Sequence, residues 1–180
     1  MLGHPTPAKA DPEGTTFTFE KGVSKSTGGQ GWADVWKKGC FAWEYKGKHK
    51  DLGAAYDQLQ LYRDALLNPP LLIVSDMETI LIHTNFTNTV KRTISLSLDD
   101  LVTKDGLDTL RQAFEHPESL RADQTIESVT QQAATEFGRL AESLRQAGHD
   151  PEHAAHFLIR ILFACSQRAL ACYPKTSSPS

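Results

Sequence analysis

Residues 31–50 read GWADVWKKGCFAWEYKGKHK, and this stretch decides the fold. Trp32 to Lys37 and Cys40 to Lys46 are two strand-like runs either side of Lys38-Gly39, which predicts a β-hairpin. Across it, Asp34, Glu44 and Lys46 stand in the spacing D-x9-E-x-K. Residues two apart on a strand share a face, so Glu44 and Lys46 point the same way, and hairpin pairing brings Asp34 beside them. Two carboxylates and an ammonium then converge. Paired carboxylates suit a hard divalent cation such as Mg²⁺, with Mn²⁺ as its substitute, which keeps several waters and takes phosphate oxygens as further ligands. Such a cation acidifies its water, while a lysine orients the attacking water or neutralises developing charge. The expected chemistry is phosphodiester hydrolysis, with Asp34, Glu44 and Lys46 catalytic and the two acids holding the metal.

Working outward, residues 16–20 alternate as a strand and a Gly- and Ser-rich loop is expected over residues 22–31. Downstream the period changes. Apolar residues at Leu52, Ala55, Tyr56, Leu59, Tyr62 and Leu66 recur at three and four, which predicts one helix over residues 52–67, stopped by Asn68-Pro69-Pro70. Gln58 and Tyr62 lie four apart on one helical face and are expected to support the site, as is Glu20 at the end of the first strand. The run Leu71-Leu72-Ile73-Val74 predicts a strand covered on both faces, residues 79–83 its neighbour, and residues 94–98 an edge strand. From Asp99 the strand signal stops, and helical patterns follow over residues 101–114, 125–146 and 151–163. Gly148 and Asp150-Pro151 make the last two an αα-hairpin.

The chain of 180 residues carries a net charge of −3, which argues against a protein that coats nucleic acid. Between Lys21 and Lys50, however, seven lysines face only Asp34 and Glu44. That is a basic window on an otherwise acidic chain. No apolar run approaches the roughly 18 residues of a membrane helix, and the first residues have no leader pattern. The expected location is therefore cytoplasmic. Cys40, Cys165 and Cys172 form no CxxC pair, so neither a disulfide framework nor a zinc ribbon is expected. His149, His153 and His156 lack the H-E-x-x-H pattern of a zinc helix, and His83, Asn85 and Asn88 read as a turn. Trp32, Trp36 and Trp43 are expected to pack in the core, being inside strands.

Several segments together resemble a known family: the hairpin stretch above, AAYDQLQLY at residues 54–62, NPPLLIVSDM at 68–77 and HTNFTNTV at 83–90. They are similar to the amino-terminal nuclease domain of MmeI-like (type IIL, or IIG) restriction-modification enzymes of prokaryotes. Those proteins join a PD-(D/E)xK nuclease, a helical spacer and an adenine methyltransferase with target recognition. The resemblance implies an α/β fold with a mixed PD-(D/E)xK-type sheet and flanking helices over residues 1–98. It implies an α-helical spacer segment over residues 99–163, where FEHPESLR at 114–121 and GHDPEHAAHFL at 148–158 carry the likeness. It also implies Asp34 and Glu44 as metal-binding acids, Lys46 as the catalytic lysine, Mg²⁺ as cofactor and double-stranded DNA as substrate.

The chain is short for that family. Methyltransferase and target-recognition regions are missing, so no S-adenosylmethionine site is expected, and the start looks late because relatives carry a preceding helical segment. Residues 164–180 depart from the family pattern, which a shifted reading frame restores. A frameshift is therefore expected, with that tail out of frame or disordered. The expected function is a Mg²⁺-dependent DNA endonuclease module, or a truncated remnant of one. The alternatives are an inactive gene-fragment product with at most weak DNA binding, and a stand-alone repair nuclease. DNA binding is expected to be weak and salt-sensitive.

Overall fold

The computed structural model describes residues 3–24, 30–48 and 50–171. They form two compact units, residues Met1–Thr125 and Ile126–Ser180.

The first unit is a mixed six-stranded sheet in the order β1 to β6: β1 (Phe17–Ser24), β2 (Gln30–Lys37), β3 (Phe41–Tyr45), β4 (Leu71–Ser75), β5 (Thr79–Thr84) and β6 (Thr93–Ser97). Neighbours pair antiparallel except β3 and β4, which are parallel. A parallel pair needs a crossover, and here it is the helix α2 (Leu52–Tyr62). The expected β2–β3 hairpin forms with Gly39 at the turn in the left-handed region (φ 70°), where a side chain would be strained. β4 is buried along its whole length. Its Leu71 and Ile73 join one core with Phe41, Ile82 and Leu110, while Leu72 and Val74 join another with Trp36, Ala55 and Leu59. This alternation explains the unbroken apolar run, since each face of β4 is covered by a different helix. Helix α2 covers one face, and α3 (Lys104–Glu115) the other.

Asp51 caps α2, its Oδ1 accepting from Gly53 N–H at 2.8 Å and Ala54 N–H at 3.1 Å. The helix ends at Tyr62 rather than at residue 67. The turns that follow still place Leu66 one helical turn beyond Tyr62, through Leu66 N–H to Tyr62 O at 3.0 Å, so the periodicity outlasts the helix. Leu67 and Asn68 both take positive φ, 64° and 48°, and turn the chain toward Pro69-Pro70 and β4. The strands reach further into the Gly- and Ser-rich stretch than expected, to Ser24 and from Gln30; residues 25–29 lie outside the described residues. A short helix α1 (Pro7–Ala10) precedes β1.

The change of period at residue 98 does not end the first unit. Leu110, Ala113 and Leu120 are buried in the sheet's core, so residues 99–125 complete this layer instead of opening a separate one. The second unit consists of α4 (Ile126–Gln146) and α5 (Pro151–Ala171). Gly148 (φ 81°) ends the turn after α4, and Asp150 Oδ2 accepts from the N–H groups of Glu152 and His153, both at 3.1 Å, as the expected N-cap. Helix α5 continues to Ala171, past the expected end of its pattern at residue 163. Cys172 and the residues after it lie outside the described residues.

Candidate active site

The β2–β3 pairing ends at Val35–Trp43, and just beyond it Asp34 and Glu44 line one cleft. Glu44 lies on the face covered by α2, as Ala42 does two residues earlier, and Gln58 of that helix reaches it. Asp34 is half-buried, and its Oδ2 accepts from Tyr45 N–H at 2.8 Å, which fixes the carboxylate against β3. Glu44 is 5% exposed. Its Oε1 receives Lys46 Nζ at 2.6 Å and Gln58 Nε2 at 3.3 Å. Its Oε2 is buried with no hydrogen-bond partner. Burial is the main reason that the Glu44 carboxyl titrates above its ordinary range; the nearby Asp34 charge adds to it, while the Lys46 contact works against it.

Two neighbouring carboxylates repel, and a buried carboxylate oxygen without a donor costs about 1–3 kcal/mol or more. A cation seated between them removes both costs. Among the described residues no group of three His, Cys, Asp or Glu converges on one point, so the protein ligands would number two. Two carboxylates with water completing the shell is a usual donor set for Mg²⁺. The residues present therefore fit the expected ion.

The acids open into a cleft of about 670 Å³ lined by Gly31, Trp32, Asp34 and Glu44 from the sheet and by Ala54, Asp57, Gln58, Leu61 and Tyr62 from α2. One face of α2, at positions 54, 57, 58 and 61, looks into the cleft, while Ala55, Leu59 and Tyr62 anchor the helix in the core. Tyr62 packs on the Gly31 backbone so closely that a methyl group there would meet its ring at 2.5 Å. Gly31 is thus the position at which α2 can approach β2.

The structure brings together Asp34, Glu44, Lys46 and Gln58, with Tyr62 as a wall. It leaves Glu20 apart: this residue is exposed on β1 with φ 50° and is not among the cleft-lining residues. Trp32 is a correction. Trp36 is buried at 1% exposure and Trp43 packs against the other core, but Trp32 is 50% exposed and lines the cleft. Its place inside a strand suggested burial, yet Gly31 and Ala33 on either side of it face α2, so Trp32 turns to the other side of the sheet, over Gly22. Sequence reasoning also missed Asp57 and Leu61. The signal was present, because Asp57 and Leu61 stand at helical spacing from Ala54 and Gln58, opposite the apolar stripe.

The other candidates are structural. His83 lies against the Tyr56 ring at 4.0 Å and its Nδ1 is 3.0 Å from Thr93 Oγ1; burial, with the Lys91 charge, holds the imidazole below its usual range. Asn85 Nδ2 donates to Asn68 Oδ1 and Pro69 O at 3.0 and 2.9 Å, a turn as expected. Cys40 is half-buried beside the Phe114 carbonyl, and burial raises its thiol, so it is not poised as a nucleophile.

Fold and site together define an α/β domain whose mixed sheet presents an acid-lined cleft with a lysine bonded to one of the acids. The family model described as "MmeI, N-terminal domain" matches residues 2–147, and the chain belongs to that family. Among solved structures it is similar to a chain in the cryo-electron microscopy structure of the DrdV–DNA complex, at 17% identity and a TM-score of 0.37. The match covers 78% of this chain and 12% of that one, so the chain spans about an eighth of the length of that relative. No curated protein matches. Among the described residues no helix is long and apolar enough to cross a membrane.

Proposed function

We propose that this chain is the nuclease module of a restriction-modification enzyme and hydrolyses DNA phosphodiester bonds with Mg²⁺ or Mn²⁺. Membership of the MmeI N-terminal domain family supports the class of enzyme. The observation that carries the chemistry is the buried, partnerless Oε2 of Glu44 beside the Asp34 charge, with Lys46 held 2.6 Å from the other oxygen. In this reading Asp34 and Glu44 hold the ion, and the nuclease region is a PD-(D/E)xK domain. Bound there, Mg²⁺ supplies an acidified water and neutralises charge building on the phosphoryl oxygens. Lys46 donates from its ammonium to a phosphate oxygen or to the attacking water, and its approach is set by Glu44 Oε1. Gln58 steadies that same oxygen, so the carboxylate keeps one orientation as Lys46 shifts toward substrate. Tyr62 holds the wall of the cleft. The substrate is double-stranded DNA, the methyltransferase and target-recognition functions lie outside these residues, and no S-adenosylmethionine is bound by them.

The test is plasmid nicking with Mg²⁺ or Mn²⁺ by the wild-type chain, Glu44→Ala and Lys46→Ala. Metal-dependent nicking in wild type and its loss in both variants is the expected result. A folded wild-type chain that does not nick DNA refutes the reading and leaves an inactive domain that binds DNA weakly.

A further inference from the structure

We propose that Asp57 is a positioning residue of the metal site: it accepts a hydrogen bond from water on the ion that Asp34 and Glu44 hold, without touching the ion itself. This rests on the nuclease reading given above. Three residues lining the cleft carry carboxylates, Asp34, Glu44 and Asp57, and none of the lining residues is basic. Lys46 offsets one of the three, through its bond to Glu44 Oε1. A phosphate backbone approaching this wall meets net negative charge, so the cleft can serve a phosphodiester only when its acids are neutralised. The buried Oε2 of Glu44, without a donor, points to a cation at the same place.

The helix that carries Asp57 does not explain it. The residue stands midway along α2, is exposed, and among the described residues makes no hydrogen bond or ion pair. Aspartate is a poor residue for a helix interior, and a negative charge is favourable only in the first turn. The residues three and four away, Gly53, Ala54, Gln60 and Leu61, offer no positive partner. On the cleft side the reading is different. Its neighbour Gln58 reaches Glu44 Oε1 at 3.3 Å, so this turn of α2 stands over the acids. Yet among the described residues no three acids gather closely enough to hold one ion directly. Mg²⁺ held by two carboxylates keeps several waters, and these are strong donors because the ion polarises them. A carboxylate one water away from the ion accepts from that shell and fixes it on the open side of the cleft.

The full-length chain, without DNA, is titrated with Mn²⁺ and the free ion is counted by electron paramagnetic resonance. Titrations run in about 0.1 M and about 1 M NaCl, where charges are screened beyond about 10 Å and about 3 Å. Asp34→Ala should lose the bound ion. Asp57→Ala should weaken binding about 10-fold at both salt concentrations, the lower end of what outer-shell partners contribute. Asp57→Asn, whose amide oxygen still accepts from water, should lose less than the alanine variant. A charge acting only at a distance would instead give equal losses in the two variants, fading at high salt. Asp64→Ala removes an exposed acid outside the cleft and should bind Mn²⁺ as wild type does. Alanine is the better helix residue, so metal-free Asp57→Ala should melt no earlier than wild type. The proposal is overturned by wild-type affinity in Asp57→Ala, by equal losses in the alanine and asparagine variants, or by an early melt, which would make Asp57 a residue of the fold. A failure of the nuclease reading shows separately: wild-type Mn²⁺ affinity in Asp34→Ala removes the ion from these acids, and absent nicking with Mn²⁺ bound removes the activity.

Discussion

Replacing Glu44 by glutamine should make the metal-free protein more stable and the metal-loaded protein less so. In EDTA at neutral pH Glu44 is 5% exposed, feels the Asp34 charge, and has one carboxylate oxygen without a donor. Relief of that oxygen is worth about 1–3 kcal/mol. Loss of the charge on Lys46's partner subtracts from it, though modestly, because the Lys46 side chain is 29% exposed and its ammonium can turn to water. A net gain of about 1 kcal/mol corresponds to a rise in Tm of about 3–5 °C for a unit of this size. The pH dependence has a fixed sign. Burial raises the Glu44 pKa in the folded state above its ordinary 4.5, so its contribution to stability is fully present below about pH 4.5 and is lost as pH rises through the raised value. Asp11, Asp100 and Glu142 are lowered and act in the opposite sense, so the wild-type minus variant difference is the quantity to follow. That difference should favour the variant at neutral pH and shrink as pH falls. With Mg²⁺ at about 100 times its Kd, wild type should gain about 2.7 kcal/mol and the variant little. Melting followed by tryptophan emission reads the first unit alone, since Trp32, Trp36 and Trp43 all lie in it. A variant less stable than wild type in EDTA at every pH, or an equal response of both proteins to Mg²⁺, refutes the assignment of Glu44 as a buried ligand.

Gly31→Ala should cost about 1–3 kcal/mol, because the added methyl would lie 2.5 Å from the Tyr62 ring; the same emission melt should show an early transition. Asp51→Ala removes the cap that takes two N–H groups of α2 and should cost about 1 kcal/mol, with nicking reduced because Gln58 rides on that helix. A salt titration of DNA binding should give a shallow slope in log Kd against log salt, about one to three phosphates' worth; a slope steeper than about six would show a broad phosphate-facing surface absent from this description.

The hairpin and its three charged residues were legible because each rests on local rules: a two-residue period, a turn glycine, and an E-x-K spacing that keeps Glu44 and Lys46 on one face. β4 was legible for a different reason, its residues being apolar on both faces as a central strand requires. What failed depended on cover. Nothing within β2 says that its alternation breaks between Ala33 and Trp36, which both lie in the core under α2, so Trp32 and Trp36 look alike in sequence although one is 50% and the other 1% exposed. The boundary at residue 98 marked a true change of period, yet the amphipathic stretch after it supplies Leu110 and Ala113 to the sheet it was separated from. Glu20 was set beside the acids by its strand position, but a positive φ breaks the regular alternation of β1 there.

The basic window also reads differently once folded. Lys46 is tied to Glu44, Lys37 donates to the Phe114 carbonyl at 2.7 Å, Lys21 lies 4.5 Å over the Trp36 ring and Lys48 meets Glu78 at 2.8 Å. Four of the seven lysines between residues 21 and 50 thus have contacts within the protein. A lysine face spread over the surface would hold DNA by charge alone and anywhere along its length. Among the described residues, the ammonium in contact with the acids is that of Lys46, 2.6 Å from Glu44 Oε1. Under the proposed function, such a site has little long-range attraction for a phosphate backbone and holds a strand by short-range contact. Its strength then depends on whether the acids are neutralised, because an unscreened carboxylate pair repels the phosphate that the lysine attracts. Metal binding and strand binding are coupled by that sign: each should tighten the other, and removal of either acid should uncouple them.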